Sequence, residues 1–329
     1  MFELTLFIII VALLFDFLNG MNDAANSIAT VVATRVLTPK IAVLWAAFFN
    51  FAAAFGFGVH VANTIGKGIV ETNIVDQYLI LSALIGAVLW THGCTKIGLP
   101  ISVSHSLIGG LAGAAIIKAG FESLVAGGLI KVTIFIFLSP IIGLLLGGSL
   151  MIIVTWIFKN SSNRKVDKVF KIGQLISSAA FSLGHGTNDA QKTMGIISIL
   201  LFTNGYLGSE FYVPFWVIII SHTAIGLGTL AGGWKVIKTM GMKLTHLRPV
   251  GGFCAETAGA AVLVGTALAG IPVSTTHTIT GAVMGVGMIK RLTAVKWGVA
   301  GKIIWAWILT IPVSAIGGAI TYFLISLFL

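Results

Sequence analysis

Apolar residues follow one another in stretches of about membrane-spanning length along the whole chain, and the polar positions inside those stretches are not scattered. The first stretch, residues 4–34, is too long for one simple crossing at about 1.5 Å per residue, and Asp16, Asn19, Asn22, Asp23 and Asn26 interrupt it midway. Stretches at 41–59, 79–95, 100–118 and 129–158 follow. A polar link, 159–171, then precedes a second series at 172–201, 213–232, 250–268, 272–289 and 299–329. The pattern predicts an all-α polytopic membrane protein with one membrane unit at 1–158 and another at 172–329. Some segments are expected to be broken helices or halves of re-entrant hairpins, giving about 10–12 membrane segments.

The two units carry the same punctuation. Gly20-Met21-Asn22-Asp23-Ala24 is echoed 166 residues later by Gly186-Thr187-Asn188-Asp189-Ala190. Gly98-Leu99-Pro100-Ile101-Ser102-Val103-Ser104-His105 is echoed 172 residues later by Gly270-Ile271-Pro272-Val273-Ser274-Thr275-Thr276-His277. Two motifs in the same order at nearly the same offset imply an internal duplication. Counting each segment as one crossing gives an odd number per unit, so the second copy is expected to be inserted upside down. Inverted repeats of this kind are a frequent plan of secondary transporters, with the substrate near mid-membrane at their interface.

Composition narrows the class. With 57% hydrophobic and 9% charged residues in 329, the chain cannot have the surface of a water-soluble globule. A net charge of +10 would suggest nucleic acid as partner of a soluble protein, but these basic residues fall in short links and read as topology signals. If the link 159–171 is cytoplasmic, fifteen link Lys and Arg fall on that side against Lys67, Lys118 and Lys131 on the other. This predicts a multi-pass protein of the cell membrane with both termini extracytoplasmic. Glu3, and no Lys or Arg before Arg35, suits a first membrane segment better than a cleavable signal. Cys94 and Cys254 are isolated in apolar stretches and read as packing residues.

Chemistry concentrates in the duplicated motifs. A carboxylate in mid-membrane is costly unless it faces a cavity or a partner, which makes Asp23 and Asp189 functional candidates, with Asn22 and Asn188 beside them. Glycine before and Asn-Asp after read as local unwinding, followed by a cap for a new half-helix. In the second motif Pro100 and Pro272 are placed in a first helical turn, followed by Ser102, Ser104 and Ser106, or by Ser274, Thr275, Thr276 and Thr278. Free amides and hydroxyls at a helix start suit an oxyanion, and four such starts could converge on one tetrahedral anion. His105 and His277 occupy matching places, as packing residues or as substrate contacts.

Two aspartates would repel a phosphate-like dianion, and Lys192 alone does not balance them, so small cations must enter with the anion. Carboxylate and amide oxygens of Asp23, Asp189 and Asn26, with loosened carbonyls around Gly20 and Gly186, are hard ligands suited to sodium. Glu256 is a further buried acid without an acidic mate in the first unit, able to hold another cation or a proton. Asn26 stands where the second unit has Lys192, which marks Lys192 as a phosphate contact or as an ion-pair partner of Asp189.

These motifs resemble those of the inorganic phosphate transporter (PiT) family of sodium- or proton-coupled symporters, over nearly the full chain. The resemblance implies uptake of inorganic phosphate driven by a co-transported cation, an inverted-repeat fold, a homodimer and no cofactor. It implies substrate contacts at Asn22, Asp23, Asn188, Asp189, Ser102, Ser104, Ser274 and Thr276, and it likens Glu256 to a transport-essential glutamate of sodium-coupled members. The expectation is a sodium-coupled phosphate importer working by alternating access, with a proton-coupled phosphate or sulfate permease as the alternative. An anion channel fits poorly with the intramembrane acids Asp16, Asp23, Asp189 and Glu256. An intramembrane hydrolase, with Ser104 or Thr276 as nucleophile, fits poorly because neighbours on a helix do not face each other, so His105 or His277 could not serve as base. The chain is therefore expected not to be an enzyme.

Overall fold

The computed structural model describes residues 2–329, and the described residues are helical apart from short connections and one isolated bridge, Val70 with Leu124. The first polar-interrupted stretch forms one helix, α1 (Phe2–Ala33), about 48 Å long at ~1.5 Å per residue. α2 (Pro39–Ala52) and α3 (His60–Lys67) form a bent pair, turned by 82° at the break. α4 (Gln77–Ile97) and α5 (Val103–Ala119) come next, then α6 (Ala126–Ile157). The second half repeats this order: α7 (Asn163–Thr203), a pair α8 (Phe215–Ala231) and α9 (Trp234–Lys238) bent by 64°, α10 (Pro249–Leu268), α11 (Thr275–Lys290) and α12 (Trp297–Ser326).

Side-chain contacts at the two ends of the bundle give the direction of each helix. At one end Gln77, at the start of α4, donates to Thr5 in α1 and to Asn204 after α7. At the other, Thr34 after α1 donates to Gln174 in the first part of α7, and Arg248 before α10 holds Asp167 through both carboxylate oxygens. α1 and α7 therefore run in opposite directions. The basic link gathers at the second end, and Phe2 and the last turn of α12 lie at the first.

Counting every segment as a full crossing is corrected by α4–α5 and α10–α11. Lys118 near the end of α5 pairs with Asp76, the N-cap of α4, so both arms of this hairpin open at the same end. Thr245 before α10 bonds to the Ala294 carbonyl just after α11, so the second hairpin opens at the basic end. The tips meet in the middle, where Thr276 donates to the Ile101 carbonyl at 2.9 Å. Five helices are long and apolar enough to span a bilayer, or seven spans if each bent pair is one, and α4 and α10 among them are hairpin arms. Each half then crosses by its first helix, its bent pair and its last helix, which remains an odd number.

Sequence explains the tips. Gly98 adopts φ +79° and ends α4 in the left-handed region, and Gly270 does the same after α10 at φ +66°. Both tips are braced from the opposite half: Lys235 and Thr239 donate to the Lys96 and Gly98 carbonyls, and Thr64 donates to the Gly270 carbonyl. The last helices are exchanged in the same sense. α12 lies against α4 and α5, and α6 lies against α10 and α11, through small residues such as Gly113 against Ala315 and Gly143 against Thr278. The outer faces of α6 and α12 are apolar and exposed, as at Phe137, Ile141, Leu145, Ile316 and Phe323, and suit lipid.

Three further expectations are corrected. α1 and α7 do not unwind at Gly20 and Gly186, so these carbonyls are not loosened. The glycines serve close approach instead: a Cβ on Gly20 would stand 2.1 Å from the Ile225 carbonyl oxygen, and one on Gly186 would stand 2.5 Å from that of Asn50. Gly20→Ala is therefore expected to cost roughly 1–3 kcal/mol of stability, measured as a lower melting temperature of the purified protein in detergent. Most of the polar link is also helical, since α7 begins at Asn163 with Ser162 capping the Lys165 amide. Finally, Pro100 and Pro272 precede the helix starts rather than sitting in the first turn.

Candidate functional site

The two hairpin helices α5 and α11 start at the centre, whereas α1 and α7 run past it as continuous helices and supply no helix start there. Ser102 caps α5 by accepting the His105 amide at 3.3 Å, and Ser274 caps α11 by accepting the His277 amide at 3.2 Å. Each cap hydroxyl keeps its own proton for donation. Amides at the first two positions of each helix have no intrahelical acceptor and point into the meeting zone. Ser106 and Thr278 bond back to the Ser102 and Ser274 carbonyls and are structural.

Asp23 and Asp189 share this centre. The Thr275 hydroxyl lies 2.9 Å from Asp23 Oδ2 and 3.0 Å from Asp189 Oδ2, although its single proton can serve only one of them at a time. Thr276 Oγ1 is 3.2 Å from Asp23 Oδ1 and accepts from the Asn26 amide at 2.9 Å. Lys192 donates to Asp189, to Ser104 on the other hairpin and to the Val273 carbonyl. One connected cluster thus ties α1, α7 and both hairpin tips together. It is sealed, with Asp23 at 2% exposure, Asp189 at 0% and Lys192 at 1%.

His185 completes the cluster. It lies four residues before Asp189 on the same helix face, with Nε2 at 3.2 Å from Asp189 Oδ2 and 3.9 Å from Asp23 Oδ2. Its other nitrogen contacts Asn50 Oδ1 at 3.0 Å, and Asn50 is in turn tied to Thr229 and His222. Asp23, His185 and Asp189 each offer a ligand atom within 4.8 Å of the others, a geometry able to hold a cation. The motifs did not name His185 as a site residue, yet the i, i+4 spacing to Asp189 was visible in the sequence.

The remaining candidates divide. Asn22 lies beside the cluster but donates to Thr95, and Asn188 is buried with neither amide atom hydrogen-bonded. The rings of His105 and His277 face each other at 4.9 Å, and His277 also stacks on Trp307 at 3.9 Å. Both imidazoles therefore wedge the tips together, and no carboxylate is hydrogen-bonded to either. Glu256 sits apart, accepting from Thr30, from Gln174 at 3.0 Å and from Ser177 at 2.5 Å. Thr30 is one turn beyond Asn26, so Glu256 lies between the central cluster and the basic end.

A family description of phosphate transporters matches this chain twice, over residues 19–166 and again over 158–318. The chain belongs to the phosphate transporter family. The double match falls on the two halves that carry the duplicated motifs. A probable low-affinity inorganic phosphate transporter of Rhizobium meliloti is 55% identical over 322 residues, covering 98% of this chain and 96% of the relative. One from Bacillus subtilis is 45% identical over 326 residues and covers 98% of each. Among solved structures, the sodium-dependent phosphate transporter superposes with a TM-score of 0.92 at 28% identity, over 99% of this chain and 100% of that one. Phosphate is the substrate of the family, whose members are transporters rather than enzymes. In this phosphate transporter the apolar helices belong to a multi-pass membrane protein, as the hydropathy pattern predicts.

Proposed function

We propose that the protein is a secondary symporter that carries inorganic phosphate inward together with sodium, by alternating access of two inverted repeats around the sealed centre. The observation that carries this reading is the cluster itself. Asp23 and Asp189 lie between two oppositely inserted helix N-termini, with a buried lysine on one of them. Taken with Lys192, the two carboxylates leave one net negative charge, which opposes entry of a phosphate anion into a dry site. Sodium bound among the Asp23, Asp189, Asn26, Thr275 and Thr276 oxygens, with His185 at the margin, removes that opposition. The two ligands then bind each in the presence of the other.

The anion has its own donors. Ser104, the capping hydroxyls of Ser102 and Ser274, the unpartnered Asn188 amide and the free amides at both helix starts converge from opposite directions. Lys192 supplies the one fixed positive charge. Toward the basic end, Thr30, Glu256, Gln174 and Thr34 form a polar line that reaches a cavity lined by Arg35, Lys171, His246 and Arg248. In this reading that cavity is the cytoplasmic exit, both chain ends are extracytoplasmic, and Glu256 lies on the release path. The pair of hairpins, each braced by the opposite half, supports motion of one set of helices against the other.

The test is uptake into proteoliposomes. Labelled phosphate is expected to accumulate above equilibrium only with an inward sodium gradient. Equal accumulation in sodium-free buffer with an imposed pH gradient would assign the coupling to protons, and preferential uptake of sulfate would reassign the anion.

A further inference from the structure

Helix α1 carries a second buried acid that the central cluster does not use. Asp16 is 0% exposed, seven residues before Asp23 on the same helix face, and neither of its carboxylate oxygens has a hydrogen-bond partner. The Asn19 amide, one turn further along α1, and the Thr193 hydroxyl, one turn beyond Asp189 on α7, face this carboxyl. Both amide atoms of Asn19 and the oxygen of Thr193 are themselves buried and unpartnered. The contrast with the other intramembrane acids is sharp. Asp189 has Lys192, Asp23 has Thr275 and Thr276, and Glu256 accepts three hydrogen bonds.

Among the described residues, no Lys or Arg is hydrogen-bonded to Asp16. Lys192 is committed to Asp189, Ser104 and the Val273 carbonyl, while His185 is turned toward Asp189 and Asn50. An acid so placed costs several kcal/mol unless a ligand completes it. Two carboxylate oxygens, the Asn19 carbonyl and the Thr193 hydroxyl offer hard oxygen donors from two helices, a set matched to a small alkali cation and poorly to softer metals. The 166-residue offset puts Ser182 and His185 where the first repeat has Asp16 and Asn19, so the second repeat cannot build a copy.

We propose that Asp16, Asn19 and Thr193 form a single sodium site, separate from the Asp23–Asp189 cluster and on its side away from the basic link. An ion entering from the end where both chain termini lie meets this site before the centre. Its charge there lowers the field that the central acids present to phosphate, so sodium binding precedes phosphate binding. The inference rests on the sodium-coupled reading, and the experiment separates the two.

Purified protein is heated in detergent without phosphate across a sodium series, with potassium balancing ionic strength, and the same preparations are assayed for uptake. The wild type is expected to melt at higher temperature as sodium rises. Asp16→Asn and Thr193→Val are each expected to shift the sodium concentration giving half the effect upward by about tenfold or more, with the phosphate KM at saturating sodium unchanged. Wild-type sodium curves in both variants would overturn the site. Should Asp16→Asn not fold, Thr193→Val decides. A wild type that transports without sodium would overturn the coupling reading, and the melting series would still judge the site.

Discussion

Asp189→Asn is expected to lower phosphate uptake by about 100-fold or more, with the protein still present in the membrane. The side chain is isosteric, so the loss reads charge rather than volume. Its removal leaves Lys192 buried between Ser104 and the Val273 carbonyl with no anionic partner, and an uncompensated buried charge typically costs about 3–5 kcal/mol. It also takes one oxygen ligand from any cation beside Asp23 and His185. Initial uptake rates in proteoliposomes, normalised to protein from size-exclusion peaks, check it. A rate within a factor of two of wild type would remove Asp189 from the site.

Lys192→Met is expected to be as severe, for the reciprocal reason, and Lys192→Arg is expected not to rescue it. A guanidinium is a broad planar fork, whereas the pocket offers a point between a carboxylate, a hydroxyl and a carbonyl. The informative experiment is the pair. Asp189→Asn combined with Lys192→Met removes both charges, so thermal stability in detergent should recover most of what either single change loses, while uptake stays absent. Recovery of uptake in the double variant would mean that the pair only supports the fold.

Much of this site was legible as residue identity and little of it as geometry. The offsets of 166 and 172 residues named Asp23, Asp189, Ser104, Thr275 and Thr276, and these now share one hydrogen-bonded cluster. Hairpin tips were expected near Pro100 and Pro272 for sound local reasons, since a glycine and a proline in succession end one helix and start another. Continuity of α1 and α7 was not legible. Glycine before Asn-Asp signals a break and a close helix contact equally well, and only the Ile225 and Asn50 backbones, distant in sequence, decide between them. His185 was not named in the site because its meaning depends on Asp23 arriving from α1. Asn50 and Gln191 were missed because their partners also arrive from elsewhere in the chain: Gln191 accepts the Val61 and Ala62 amides at the start of α3, a contact that exists only once the bend has formed.

The histidines were legible as a matched pair, open between packing and substrate contact. Their repetition at matching positions suits either reading, and symmetry about the meeting point of two tips brings identical residues face to face. His105 and His277 do this, and Trp307 from the last helix closes over one of them.

The exchange of last helices bears on how the molecule is made. Hairpin α4–α5, with its serines and histidine at the tip, leaves the ribosome long before α12, the helix on which it rests, has been synthesised. For most of translation that polar tip has α1 beside it but lacks α12, and only the arrival of the final thirty residues of helix completes its seat. Assembly is therefore concerted at the end of the chain. A ribosome that stops before α12 leaves α4–α5 without its seat, while α10–α11 already has α6 beside it.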